Sequence, residues 1–143
     1  MLNLQYLKGI FLDLDDTLYP YPLCNETGIQ ATVNHLAEAL GKIPEEVHKA
    51  FEQGRAATKE LLRGKTWELA ASHHRLLYFQ KAIEVLYGKT DPELTLSAER
   101  VFWDAYLSRM TLFPGAREFL GLTKARGKTV AIVGPSGCGK TSI

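Results

Sequence analysis

Lys8-Gly-Ile-Phe-Leu-Asp-Leu-Asp-Asp-Thr17 opens with a short apolar run, Ile10-Phe11-Leu12, that ends abruptly in carboxylates. An unbroken run of this length predicts a strand over about residues 8–14, buried on both faces as in a parallel sheet. Open α/β sheets bind ligands beyond the carboxyl ends of their strands, which is where Asp13, Asp15 and Thr17 fall. Asp13 has the chemistry to attack phosphorus and form an aspartyl-phosphate. Asp15, two residues on, can protonate a leaving oxygen and then take a proton from water. The same pair offers hard oxygen donors for Mg²⁺, a cation that keeps several waters.

Working outward, Lys128-Thr-Val-Ala-Ile-Val133 repeats the buried-strand pattern. Phe113-Pro-Gly115 starts a helix through about Arg126, closed by Gly127. A helix between two strands is a crossover connection, which makes them parallel with their carboxyl ends together. Between residues 22 and 110 the chain reads as helix. Tyr19-Pro-Tyr-Pro22 breaks regular structure. A helix then runs from Glu26 to Leu40 with Ile29, Val33, Leu36, Ala37 and Leu40 on one face and Gly41 as a stop. Pro44-Glu-Glu46 starts the next, with Val47, Ala50 and Phe51 inward. Thr66 caps a long helix from Trp67 to about Tyr87, with Leu69, Leu76, Ile83 and Leu86 inward and Gly88 at its end. Asp91-Pro-Glu93 starts another through about Arg109, striped by Leu94, Ala98, Val101, Phe102 and Ala105. The expectation is an α/β, helix-dominated protein: a partial Rossmann-like parallel sheet from residues 1–21 and 111–143, with a helical bundle of residues 22–110 inserted as a cap over the crevice.

Phe11-Leu-Asp-Leu-Asp-Asp-Thr-Leu-Tyr19 resembles motif I of the haloacid dehalogenase superfamily, an apolar strand followed by Asp-x-Asp-x-Thr. The helical insert matches the position of that family's cap, and Leu112-Phe-Pro-Gly-Ala116 with the helix and strand after it matches the approach to motif II. The likeness covers about residues 8–133 and is greatest to members with a four-helix cap, such as phosphoglycolate-phosphatase-like and pyrimidine-nucleotidase-like proteins. It implies Mg²⁺-dependent hydrolysis of a small phosphate monoester, with Asp13 as nucleophile, Asp15 as acid/base, the Asp15 main-chain carbonyl on the metal and Thr17 in support. It also implies a Ser or Thr, usually followed by Asn, after the second strand; Gly134 and Pro135 stand there instead. The later lysine and acidic residues of the family have no match, which suggests a truncated or recombined chain, active or not.

Gly134-Pro-Ser-Gly-Cys-Gly-Lys-Thr141 fits GxxxxGK[ST], the P-loop pattern. In such a loop, Gly134, Gly137 and Gly139 let backbone N–H groups curl around phosphate oxygens, Lys140 reaches the β/γ-phosphates and Thr141 contacts Mg²⁺. ATP or GTP is therefore an alternative ligand, making the chain a nucleotide-binding module. No Walker B strand follows.

Seventeen basic and 16 acidic residues are spread along the 143-residue chain, so no basic block argues for nucleic acid. No apolar run approaches the ~18 residues of a membrane span, and the N-terminus lacks the pattern of a signal peptide, so a cytoplasmic protein is expected. Cys24 and Cys138 form no ligand or disulfide pattern. His73 and His74 read as helix-face residues, and Trp67, Phe102 and Trp103 as core. Arg55, Arg63 and Lys65 are candidates for substrate contacts from the cap.

Overall fold

A computed structural model describes residues 6–63 and 73–134. In chain order it contains β1 (Gly9–Leu12), α1 (Tyr21–Leu40), α2 (Pro44–Leu61), α3 (Arg75–Tyr87), α4 (Pro92–Arg109), α5 (Ala116–Ala125) and β2 (Thr129–Ile132). The chain divides into two compact units. One combines the residues up to Pro22 with those from Met110 onward; the other is Leu23–Arg109.

In the first unit β1 and β2 pair in parallel, Gly9 with Thr129 through Leu12 with Ile132, as the crossover argument requires. Val133 N–H extends the ladder by donating to Leu12 O at 2.8 Å. Both strands are shorter than read from the sequence, and β1 ends where the chain turns at the carboxylates. Burial on both faces is not found. Ile10 and Leu12 are half-buried, whereas Gly9 is exposed and Phe11 is 77% exposed. That alternation belongs to a sheet covered on one side; among the described residues it has two strands, and α5 packs on β2.

The second unit is the helical bundle. Pro44 opens α2 with Glu45 and Glu46 in the first turn, where a missing N–H costs nothing and carboxylates meet the positive end of the dipole. Asp91 caps α4, its Oδ1 accepting from Leu94 N–H at 2.9 Å. Gly88 ends α3 with φ +73°, a conformation that side chains other than glycine's rarely adopt. Val47, Ala50 and Phe51 are buried as the stripe of α2 predicts. The centre is aromatic: Phe51 stacks on Phe79 at 5.7 Å, Phe79 tilts against Phe102 at 5.7 Å, and Phe102 meets Tyr106 at 5.7 Å. Thr32 and Thr58 are buried and return their hydroxyls to Gly28 O and Gly54 O on their own helices, so neither leaves a donor unpaired.

Three sequence readings need correction. Tyr19-Pro-Tyr-Pro22 does not interrupt structure up to Glu26; α1 starts at Tyr21 and holds Pro22 in its first turn, where no helical partner exists for the lost N–H. The long third helix begins at Arg75, not near Trp67. His74 is extended, with ψ 115°, and His73 and His74 precede the helix instead of lying within it. Thr66, Trp67 and Leu69 lie outside the described residues. Its buried face is Tyr78, Phe79, Ala82 and Ile83, with Leu76 and Leu86 only half-buried at its margin. Trp103, read as core, is 43% exposed at the rim of the aromatic cluster, edge-on to Phe102 at 5.1 Å.

Candidate functional site

The loop after β1 is held by its own backbone. Leu14 O accepts from both Thr17 N–H (3.2 Å) and Leu18 N–H (2.9 Å), and Asp16 N–H donates to Tyr19 O at 3.0 Å. Closing so tight a turn puts Asp16 at φ +55°, a conformation that aspartate tolerates better than most side chains because its short carboxylate bonds locally. That carboxylate accepts from Tyr21 N–H at 3.0 Å, which ties the loop to the start of α1. The loop is also tied to the segment before α5: Phe113 N–H donates to Leu18 O at 2.8 Å.

Within this frame Asp13 and Asp15 are both exposed. Asp13 Oδ1 accepts from Leu14 N–H at 2.9 Å, which leaves its second oxygen for a ligand. Asp15 Oδ1 accepts a hydrogen bond from the Tyr19 hydroxyl. Thr17 is exposed in the same turn. The register carries Asp13 past the Leu12–Ile132 pair and alongside Val133, one residue before Gly134. Asp13, Asp15, Thr17 and Gly134 thus share the carboxyl end of the two-stranded sheet. Gly137, Gly139, Lys140 and Thr141 lie outside the described residues, as does Lys65.

The donors at this end are hard oxygens, the chemistry that a divalent cation such as Mg²⁺ requires. Among the described residues no group of three or more His, Cys, Asp or Glu side chains is placed to hold a metal by itself. A pair of carboxylates with waters suits Mg²⁺, which dehydrates reluctantly, better than cations that need a complete protein cage.

Arg55 and Arg63, candidates for substrate contacts, each carry an exposed ion pair within the bundle unit. Arg55 pairs with Glu52 at 3.3 Å, and Arg63 with Glu60 at 3.8 Å, all well exposed. Exposed pairs of this kind contribute little to stability. The bundle unit carries a surface depression of about 450 Å³ lined by Ala39, Tyr87, Asp91, Leu94 and Ser97 among others. Ser97 Oγ beside it bonds His35 Nε2 at 2.7 Å, joining α1 to α4. No helix among the described residues is long and apolar enough to cross a membrane.

Sequence reading missed Tyr19 and Asp16. Tyr19 is buried although it sits between the motif and two prolines, and nothing in its type or spacing announces a hydroxyl aimed at Asp15. Asp16 stands at the second variable position of Asp-x-Asp-x-Thr, and its role appears only once the turn is closed.

The chain matches no protein-family model. It is similar to the ribulose-1,5-bisphosphate 5-phosphatase of Halopiger xanaduensis, with 37% identity over 124 residues, an alignment covering 87% of this chain and 51% of that protein. The chain therefore spans about half the length of this curated relative. The similarity is to a phosphatase whose named substrate is a phosphorylated sugar.

Proposed function

We propose that this chain carries the nucleophile and the acid/base of a Mg²⁺-dependent phosphohydrolase of the haloacid dehalogenase type, acting on a small phosphorylated substrate of the sugar-phosphate class. One observation carries the reading: Asp13 and Asp15 stand together at the carboxyl end of a strand in a parallel pair, in a chain similar over 87% of its length to a sugar-phosphate phosphatase. In this mechanism the unengaged oxygen of Asp13 attacks phosphorus, and the bond from phosphorus to the ester oxygen breaks. Asp15 gives its proton to the departing oxygen. Asp15, now ionised, takes a proton from the water that attacks the aspartyl-phosphate, which releases phosphate and restores Asp13. Mg²⁺ held by Asp13 and the Asp15 main-chain carbonyl would offset repulsion between the nucleophile and the anionic substrate.

The test is hydrolysis of a generic aryl phosphate with Mg²⁺ by the wild-type chain beside Asp13→Asn. A wild-type rate well above that of the variant supports the reading; equal rates sink it.

A second reading, ATP or GTP bound through Gly134, Gly137, Gly139, Lys140 and Thr141, is favoured by the position of the GxxxxGK[ST] pattern directly after a strand of this sheet. ATP with Mg²⁺ should then bind saturably below about millimolar concentration, where a site contributes roughly 4 kcal/mol, and Lys140→Ala should abolish it. A linear titration would remove this alternative.

A further inference from the structure

We infer that Tyr19 is the positioning residue for Asp15, fixing the acid/base carboxylate through its phenolic hydroxyl; this rests on the phosphohydrolase reading of Asp13 and Asp15. Asp15 is exposed and sits in a turn. An exposed aspartate there would ordinarily exchange among its staggered χ1 wells and offer its proton in the right direction only part of the time. General acid catalysis needs the donor within about 2.6–3.2 Å of the leaving oxygen.

Tyr19 supplies what the turn alone does not. Its ring is only 7% exposed, so the hydroxyl is presented from a fixed base. Asp15 and Tyr19 also form a parallel backbone bridge, and Asp16 N–H donates to Tyr19 O at 3.0 Å. The two side chains are thus joined at both backbone and tip. The hydroxyl donates to Asp15 Oδ1, which selects one orientation and leaves Oδ2 for proton transfer.

Tyr19→Phe keeps the buried ring and removes the hydroxyl that donates to Asp15. Wild type, Tyr19→Phe, Asp15→Asn and the double variant are compared for steady-state hydrolysis of an alkyl phosphate with Mg²⁺, after thermal melts confirm that each folds. We expect Tyr19→Phe to lower kcat roughly 10-fold, the scale of a small misplacement of a reacting group, with KM unchanged. Added to Asp15→Asn, it should cause no further loss, because its effect runs through Asp15. In protein labelled with ¹³C at the tyrosine Cζ, the resonance missing from Tyr19→Phe should shift in Asp15→Asn. An active wild type with Tyr19→Phe at the same rate overturns this inference alone. So does an equal fold-loss in the Asp15→Asn background, or an unmoved Cζ resonance. A wild-type rate equal to that of Asp13→Asn overturns the proposed function and the catalytic part of this inference with it.

Discussion

Gly28 of α1 lies against Phe102 of α4 so closely that a Cβ built on it falls 2.7 Å from the Phe102 ring and 3.0 Å from its carbonyl oxygen. Phe102 is 1% exposed and surrounded by Phe79, Trp103 and Tyr106, so the ring has nowhere to go. Gly28→Ala should therefore lose stability despite the gain of about 1 kcal/mol that alanine brings to a helix interior. Overpacking of this kind costs roughly 1–3 kcal/mol, and we expect a net loss of about 1 kcal/mol in urea denaturation.

Gly54 sets a sharper version of the same test at the contact of α2 with α3. A Cβ there meets Ala82 N and Tyr78 O, both at 2.9 Å. These are backbone atoms of a helix and cannot rotate aside, so Gly54→Ala should cost more than Gly28→Ala, about 2–3 kcal/mol. Gly121 in α5 has no atom within 4 Å of its added Cβ, and Gly121→Ala should stabilise by up to ~1 kcal/mol. The three variants ranked by denaturation midpoint check the argument; a Gly54→Ala protein as stable as wild type would contradict the close approach.

Asp16 offers a test within the loop. It combines φ +55° with a carboxylate bonded to Tyr21 N–H. Asparagine can do both, glycine only the first, alanine neither. Asp16→Asn should be nearly neutral, Asp16→Ala should cost about 1–2 kcal/mol, and Asp16→Gly should fall between. Hydrogen exchange at the Tyr21 amide reads the effect locally, and the order is the prediction.

Glu84 fixes how the bundle responds to acid. Hydrogen bonds from Lys81, then Gln80, hold its carboxyl at about 2, down from 4.5, against a smaller opposing effect of burial. Lys81 Nζ is 2.7 Å away, and Thr90 Oγ1 also donates to Glu84 at 3.0 Å. A depressed folded-state value means that the unfolded chain binds the proton first as pH falls. The stabilisation is complete above about pH 5 and is lost as pH drops from 4.5 toward 2. Lys81 is two-fifths exposed, so solvent screening limits the contribution to about 1 kcal/mol or less. Glu84→Gln should be less stable than wild type at pH 7, with the difference closing near pH 2; a difference that does not depend on pH would contradict this assignment.

These sites divide according to what local sequence can express. The strand order, the parallel pairing, and the starts at Pro44 and Pro92 were legible because each follows from a few adjacent residues: an apolar run, a proline beside carboxylates, a crossover helix. The position of Asp13 and Asp15 just past a strand end was legible for the same reason, since they follow directly on the apolar run. Phe11 was misjudged because an apolar side chain does not state what covers it. Arg75 was not foreseeable as a helix start. Its guanidinium lies over the rings of Tyr78 and Phe102, 5.6 Å from each, and bonds Asn25 Oδ1 at 3.0 Å. Two of those three partners are distant in sequence, and no helical periodicity contains them. Tyr19 was hidden in the same way: its hydroxyl finds Asp15 only because Asp16 reverses the chain between them.

The two roles given to Asp15 under the phosphohydrolase reading separate by leaving group. A nitrophenolate departs without a proton, so the first step needs little help from an acid when the substrate is a nitrophenyl phosphate. An alkoxide is a poor leaving group, and there the acid contributes about 10²–10⁴-fold. The second step is the same for both substrates, because the aspartyl-phosphate on Asp13 must be hydrolysed by water that Asp15 deprotonates. Asp15→Asn should therefore release nitrophenol in a burst approaching one equivalent per chain, followed by slow turnover as the covalent intermediate accumulates. With an alkyl phosphate it should show no burst and a rate lowered by roughly 10²–10⁴-fold. Asp13→Asn should show neither burst nor turnover with either substrate. Rapid-quench measurement of product, with denatured protein assayed for acid-stable, hydroxylamine-labile phosphate, distinguishes these outcomes. A burst of equal size with both substrates would mean that Asp15 does not protonate the leaving group, and its absence with both would mean that Asp13 does not form the intermediate.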